Sequence, residues 1–179
     1  RYFGLRRMAG DWVGDTELEP PRSNRAAVEL GWDLGSAAVT ATLWVDSVDD
    51  FITVFDQPKV NEVPGVSGVM ARSYANVDAL LRGVTLEATT ALGARLSLAG
   101  QVSYLRGTKD ADPARGINSE NLAEMPPLTA RVALRWQNPK LFAEIEGIGV
   151  ARQDEVDIDL EEEPTPGYGL VNLRGGIRW

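Results

Sequence analysis

Apolar and polar residues alternate along most of this chain with a period of two. In "AAVELGWDL" (26–34), Ala26, Val28, Leu30, Trp32 and Leu34 share one side, opposite Ala27, Glu29, Gly31 and Asp33. In "AAVTATLWVD" (37–46), Val39, Ala41, Leu43 and Val45 oppose Thr40, Thr42, Trp44 and Asp46. "RGVTLEATTAL" (82–92) sets Val84, Leu86 and Ala88 against Thr85, Glu87 and Thr89, and "RLSLAGQVSY" (95–104) sets Leu96, Leu98, Val102 and Tyr104 against Ser97, Gln101 and Ser103. "LTARVALRW" (128–136) and "GYGLVNLRGGIRW" (167–179) repeat the pattern, whereas in "LFAEIEGIGVA" (141–151) Ile148 and Val150 blur it. Successive strand side chains point to opposite faces, so these segments predict half-apolar β-strands. With "YFGLRRM" (2–8) they make about eight, and no segment has a helical period. The expected fold class is all-β.

The connections alternate too. Tight turns are expected around Gly35-Ser36, Gly93-Ala94 and Asn138-Pro139; long connections fall at 9–23, 56–67, 109–123 and 154–166. Short and long in strict succession predict an antiparallel up-and-down meander, with every long loop at one end. That is the plan of a transmembrane β-barrel, with short periplasmic and longer extracellular connections. Residues 37–55 and 68–92 exceed the roughly 9–11 residues that a tilted strand needs to cross hydrocarbon, so the excess should project as a rim. Trp32, Tyr104, Trp136 and Trp179, at strand ends, suit aromatic girdles at the membrane interfaces. A soluble β-sandwich binding module is the alternative, with the same residues in a core between two sheets.

The facing follows from the pattern. Val84, Leu86, Val132, Leu134, Val171 and Leu173 should point out of the sheet, and Thr85, Glu87, Arg131, Arg135, Asn172 and Arg174 should line its concave side. A slip of one residue would invert any strand.

Composition narrows the chemistry. The 179 residues carry a net charge of −8, against nucleic-acid binding, which needs a basic face. Mean hydropathy is only −0.18, as alternation would produce. There is no cysteine and no histidine, which removes disulfides, thiol chemistry and the commonest general base and metal ligand. No catalytic residue is assigned and no cofactor is expected. Glu144 and Glu146 lie two apart on one face, where a carboxylate pair could serve a glycosidase or simply line a polar lumen. Arg131, Arg135, Arg174 and Arg178 are expected inside, paired with Glu87, Glu144 and Glu146. In the acidic loop "DEVDIDLEEE" (154–163), Asp154, Asp157, Asp159 and Glu161 offer oxygen ligands for a hard cation such as calcium, but without EF-hand spacing. A solvated loop is the default there.

Several stretches resemble the TonB-dependent outer-membrane receptors in that family's order. "GDTELEPPRSNRAAVELGW" (14–32) is similar to the loop and "ELG" strand late in its barrel, though without the usual Asn-Pro opening. "VDDFI" (48–52) looks like the end of the next strand. "YANVDALLRGVTLEA" (74–88) resembles its "N-x-x-x-A-x-x-x-G-x-E-x-E" strand, "MPPLTARVALRW" (125–136) its "IPP" approach to a strand, and "TPGYGLVNLRGGIRW" (165–179) its final strand. The resemblance implies that residues 1–179 are the C-terminal segment of a larger barrel of about 22 strands, with the plug domain and earlier strands absent. It implies TonB-energised uptake of a scarce ligand, such as a ferric siderophore or other metal complex, across the outer membrane of a Gram-negative bacterium. Partners would be outer-membrane lipid, the TonB complex through the plug, the metal chelate, and the barrel-insertion machinery. That machinery reads a final strand with alternating apolar residues and a terminal aromatic, here Val171, Leu173, Ile177 and Trp179. In such a segment residues 2–8 should not pair with 168–179. A small closed eight-stranded barrel with a structural or adhesive role would pair them, and is the other alternative.

Overall fold

The computed structural model describes residues 16–58 and 70–177. Seven strands lie there: β1 (Arg22–Asp33), β2 (Ala37–Pro58), β3 (Met70–Ala91), β4 (Leu96–Lys109), β5 (Thr129–Gln137), β6 (Leu141–Val150) and β7 (Tyr168–Ile177). They form one sheet in the order β1 to β7, each pair antiparallel. The meander predicted by the alternating connections is present, and a single sheet replaces the two layers that a sandwich would need. The expected strand at 2–8, its pairing with the last strand, Arg178 and Trp179 lie outside the described residues.

The turns have local chemical causes. Gly35 has a φ of 81° and donates its N–H to Asp33 Oδ1 at 2.9 Å, while Leu34 N–H meets Ala37 C=O at 2.8 Å. Asn138 Oδ1 accepts the N–H groups of Lys140 and Leu141 at 2.8 and 2.7 Å, folding the chain across Pro139. An Asn side chain that caps its own turn in this way substitutes for a backbone acceptor.

Register builds continuous rows across the sheet. One outer row runs Trp32, Val39, Ala88, Gly100, Val132, Gly147, Val171, and its neighbour joins Leu98, Leu134, Ile145 and Leu173. Most of these side chains are exposed, Val171 at 71% and Leu173 at 78%, and no layer of the described residues covers them. The opposite face carries the row Thr40, Glu87, Gln101, Arg131 and the row Ala133, Glu146, Asn172. The two faces divide the apolar and polar sets as the period-two pattern requires. Ile148 and Val150, which blur that pattern, sit on the polar face near the loop end. Trp32 and Trp136 lie on the outer face near the tight turns, and Tyr104 lies near the other end.

β2 and β3 are each 22 residues long, roughly 70 Å at about 3.3 Å per residue. A tilted strand needs only about 9–11 residues to cross a hydrocarbon layer, so each of these is far longer than a crossing would require. "VDDFI" is not a strand end, as its resemblance led us to expect. It is a bulge: pairing steps from Val48↔Ala79 to Phe51↔Val77, with Asp50 at φ 59°. The bulge changes the parity of β2, so that Phe51, Thr53 and Phe55 come to the same face as Val48. That face is the concave one, and the residues opposite are Val77, Ala75 and Ser73.

Residues 110–128 fold across this ribbon. Ile117, completely buried, packs with Phe55, Ala75 and Val77; Leu122 packs with Val48 and Ala79, and Leu81 and Met125 close the edge. Gly116, at φ 87°, brings the loop so close to β2 that a Cβ would lie 3.1 Å from the Asp56 carbonyl. Gly107 gives Leu122 and Met125 their seat, for a Cβ there would stand 2.7 Å from both side chains.

Candidate functional site

Two arrangements on the concave face carry the chemistry. The first is a charged ladder on the last three strands. β5, β6 and β7 present Arg131, Arg135, Glu144, Glu146, Asn172 and Arg174 on one face because each strand contributes every second residue. Arg131 binds Glu146; Arg174 spans both acids, at 2.7 Å to Glu144 and 2.8 Å to Glu146; Asn172 Nδ2 donates to Glu146 at 2.9 Å. Arg135 approaches Glu144 at 3.5 Å and lies 4.8 Å above the Phe142 ring. Both glutamates are therefore held by arginines. Glu87 departs from expectation: it accepts from Gln101 at 3.0 Å rather than from an arginine. Glu146 is nearly buried, whereas the Arg131 and Arg174 side chains are about half exposed (46% and 50%), so guanidinium N–H groups reach into the lumen. Such a wall can hydrogen-bond water, or the surface of a polar occupant.

On β2, nearer the loops, the concave face carries an aromatic ring. Trp44 lies over Gly83, where a Cβ would come within 2.6 Å of the indole, and Arg25 sits 4.4 Å above the same ring.

The second arrangement is the cap over the projecting ribbon. Lys109 ends β4 on the concave face and donates to Asp157 Oδ2 at 2.5 Å and to Thr53 Oγ1 at 3.0 Å. The Lys109 and Asp157 side chains are 0% and 1% exposed, so the pair is dry. Asp157 also caps a 3₁₀ turn (Ile158–Leu160), accepting the N–H of Asp159 at 3.1 Å. Asp159 Oδ2 accepts the N–H groups of Asn118 and Ser119, both at 2.8 Å, and Glu162 accepts those of Glu124 and Asp157 at 2.9 and 2.8 Å. Asn121 Nδ2 donates to Val156 C=O at 2.9 Å, and Arg106 joins Asn121 to Glu155. The loop at 151–167 is thereby bolted to the loop at 110–128, and both to β2 and β4.

The acidic residues considered as cation ligands are placed as follows. Asp154 pairs with Arg152 at 2.5 Å, Glu161 with Arg72 at 3.5 Å, Asp157 with Lys109, and Asp159 with two backbone amides. Among the described residues no group of three or more acidic, His or Cys side chains is disposed to hold a metal ion. In the 110–128 loop, the Arg115 hydrogen bond holds the Asp112 carboxyl below its ordinary value of 3.8. Of the residues expected to form an insertion signal, Val171, Leu173 and Ile177 lie together on the outer face of β7. Lys109 and Thr53 were not singled out in the sequence; the available signal was a lysine at an inward-parity position ending β4.

The sequence matches the family described as TonB dependent receptor-like, beta-barrel over residues 5–179. No curated protein matches it in sequence. Among solved structures, the copper transporter OprC superimposes with a TM-score of 0.72 at 22% identity, over 89% of this chain and 24% of that one. The FrpB iron transporter from Neisseria meningitidis (F3-3 variant) gives a TM-score of 0.66 at 16% identity, over 93% and 26%. Its F5-1 variant, in the apoprotein form, gives 0.66 at 17%, over 94% and 26%. This chain thus spans about a quarter of the length of the transporters it resembles. An outward apolar face without a covering layer, a charged concave face, long loops at one end and the family match agree: the chain belongs to the TonB-dependent receptor β-barrel family, whose place is the Gram-negative outer membrane.

Proposed function

We propose that this chain forms the C-terminal part of the barrel of a TonB-dependent receptor that takes up a metal ion or metal complex, such as a ferric siderophore. The family match over residues 5–179 carries the proposal. The likeness to proteins described as copper and iron transporters favours a metal cargo, and the share of their length covered accords with one segment of a larger barrel. In this reading a plug domain occupies the lumen and meets the guanidinium groups of Arg131 and Arg174, and TonB acts through that plug. The cap around Lys109 and Asp157 holds two extracellular loops ready at the mouth, so that ligand meets a formed surface rather than disordered chain. Ordering loops before binding lowers the entropic cost of capture. Val171, Leu173, Ile177 and Trp179 serve as the barrel-insertion signal.

The test is uptake of radiolabelled iron and copper, free and chelated, by cells with and without the gene, each with and without TonB. The proposal expects accumulation of at least one metal form that needs both the receptor and TonB. Equal accumulation of every form in cells lacking the gene would contradict it.

A further inference from the structure

β1 ends short of the strand it pairs with. Its ladder with β2 stops at Arg22↔Asp49, while β2 continues to Pro58 beside β3. The chain leading into β1 does not run on alongside. Asn76 draws it across the outer face at the bulge. Its Oδ1 accepts the Glu19 N–H at 2.8 Å, and its Nδ2 donates to the carbonyls of Glu19 and Asp50 at 2.9 and 2.6 Å. Among the described residues, β2 beyond the bulge is therefore an edge strand.

The backbone groups that this edge offers follow from the alternation of hydrogen bonds in an antiparallel sheet. Asp110 N–H bonds Asp78 C=O at 2.8 Å, so Asp78 and every second residue of β3 turn toward β4. Val77, Ala75 and Ser73 then turn toward β2, where they face Phe51, Thr53 and Phe55. The residues between, Ile52, Val54 and Asp56, direct their N–H and C=O groups away from β3. These backbone groups have no hydrogen-bond partner among the described residues. The edge is held in shape, because Thr53 and Phe55 are buried under the loops on its concave side. Its outer side carries Ile52, which is 37% exposed, and Val54. An open edge of this kind is a template for another strand.

We propose that this edge takes an extended basic segment of a partner protein as an added strand, paired through Ile52, Val54 and Asp56. Charge selects the occupant. Asp49 and Asp50 stand at the foot of the edge, Glu19 crosses beside them, and Asp56 stands near its top. Glu19 pairs with Arg22 and Asp56 with Arg72, so Asp49 and Asp50 carry the attraction. The chain as a whole has a net charge of −8. A second copy of it would bring acids against acids, whereas lysines or arginines would meet them. A segment in which basic and apolar residues are interspersed supplies a cation to Asp49 and Asp50 and an apolar side chain to Ile52 and Val54. The proposal rests on strand geometry and charge, so it stands or falls apart from metal uptake.

The experiment is hydrogen exchange, resolved to single amides, of the whole protein in lipid nanodiscs with and without the peptide Lys-Val-Lys-Val-Lys-Val-Lys. Without peptide, the amides of Ile52, Val54 and Asp56 should exchange fast and those of Phe51, Thr53 and Phe55 slowly. Peptide at millimolar concentration should slow the first set about tenfold, as near-saturation of one site would. The same peptide with glutamate in place of lysine, or N-methylated at every amide, should give no such protection; these arms need no variant to fold. Val54→Pro removes an N–H that the sheet does not use, a change that edge strands tolerate. It should weaken peptide binding about tenfold, with exchange at 110–128 unaltered. Asp49→Asn/Asp50→Asn, which keeps a side chain suited to the φ of 59° at Asp50, should weaken it about threefold. Slow exchange at 52, 54 and 56 before peptide is added would show the edge already covered and overturn the proposal. So would unchanged exchange with the peptide, equal protection by the glutamate or N-methylated peptide, or equal binding by either variant.

Discussion

The lower and upper parts of β2 and β3 belong to one continuous pair of strands, yet they face their surroundings in opposite ways. Toward the tight turns, Leu43, Val84 and Leu86 point outward and are exposed, while Thr42, Thr85 and Glu87 face the concave side. Toward the loops, Asn76 and Asp78 point outward, while Val77, Ala79 and Phe55 are buried on the concave side. Lipid solvates the first region from outside, and a polar lumen occupies its inside. In the second, water lies outside, and among the described residues the dry surface is the one the loops create. The hydrophobic effect acts on both, but in the cap it needs a protein lid, because water wets whatever the loops leave bare.

This contrast can be broken from either side. The largest effect is expected at the buried ion pair. Lys109→Met leaves Asp157 charged without its cation in a dry site, a loss of about 3–5 kcal/mol. It should appear as faster hydrogen exchange at 110–128 and 151–167, with the heat resistance of the barrel unchanged. The double variant Lys109→Met/Asp157→Leu should recover much of the loss. A uniform loss of barrel stability would show that cap and barrel are not separable. At membrane height, Leu134→Arg on the outer face should cost about 2–4 kcal/mol in refolding into lipid bilayers, whereas Thr85→Arg, on the lumenal side, should cost much less. Equal penalties would mean that the two faces are not distinguished by lipid.

Much of the lower region is legible in the sequence, because lipid contact enforces strict period two: Leu134, Ile145 and Leu173 are identifiable without a structure. The cap is not. Ile117, Leu122 and Met125 lie in a segment without any period, where apolar residues look incidental. Lys109 and Asp157 are 48 positions apart, and no local pattern links them. The bulge leaves little trace, since apolar residues occupy odd positions before it (Leu43, Val45) and both parities after it (Phe51, Ile52, Val54, Phe55). The family resemblance, however, suggests a strand end there. The acidic run is equally ambiguous, because a sequence shows the charge of Asp157 and Asp159 but not the lysine and amides that use it.

The smallest expected effect concerns Asp112. Its carboxyl is held below 3.8 by the hydrogen bond from Arg115, so its contribution to loop order is present above that value. The contribution should fade as pH falls through the lowered value of the folded loop. Hydrogen exchange around 112–117 should therefore rise in strong acid, and Asp112→Asn should remove that local dependence. An unaltered acid response in the variant would assign it to other groups.

The reversal of faces is tested most directly by single cysteines along β3, in a chain that has none of its own. Spin labels at Val84→Cys, Leu86→Cys and Ala88→Cys should collide with lipid-soluble oxygen, and those at Asn76→Cys and Asp78→Cys with a water-soluble relaxant. Labels at Ala75→Cys and Val77→Cys should be shielded from both. Oxygen contact continuing unchanged from 88 to 76, or free water access at 75 and 77, would contradict a lipid-facing lower sheet and a loop-capped upper one.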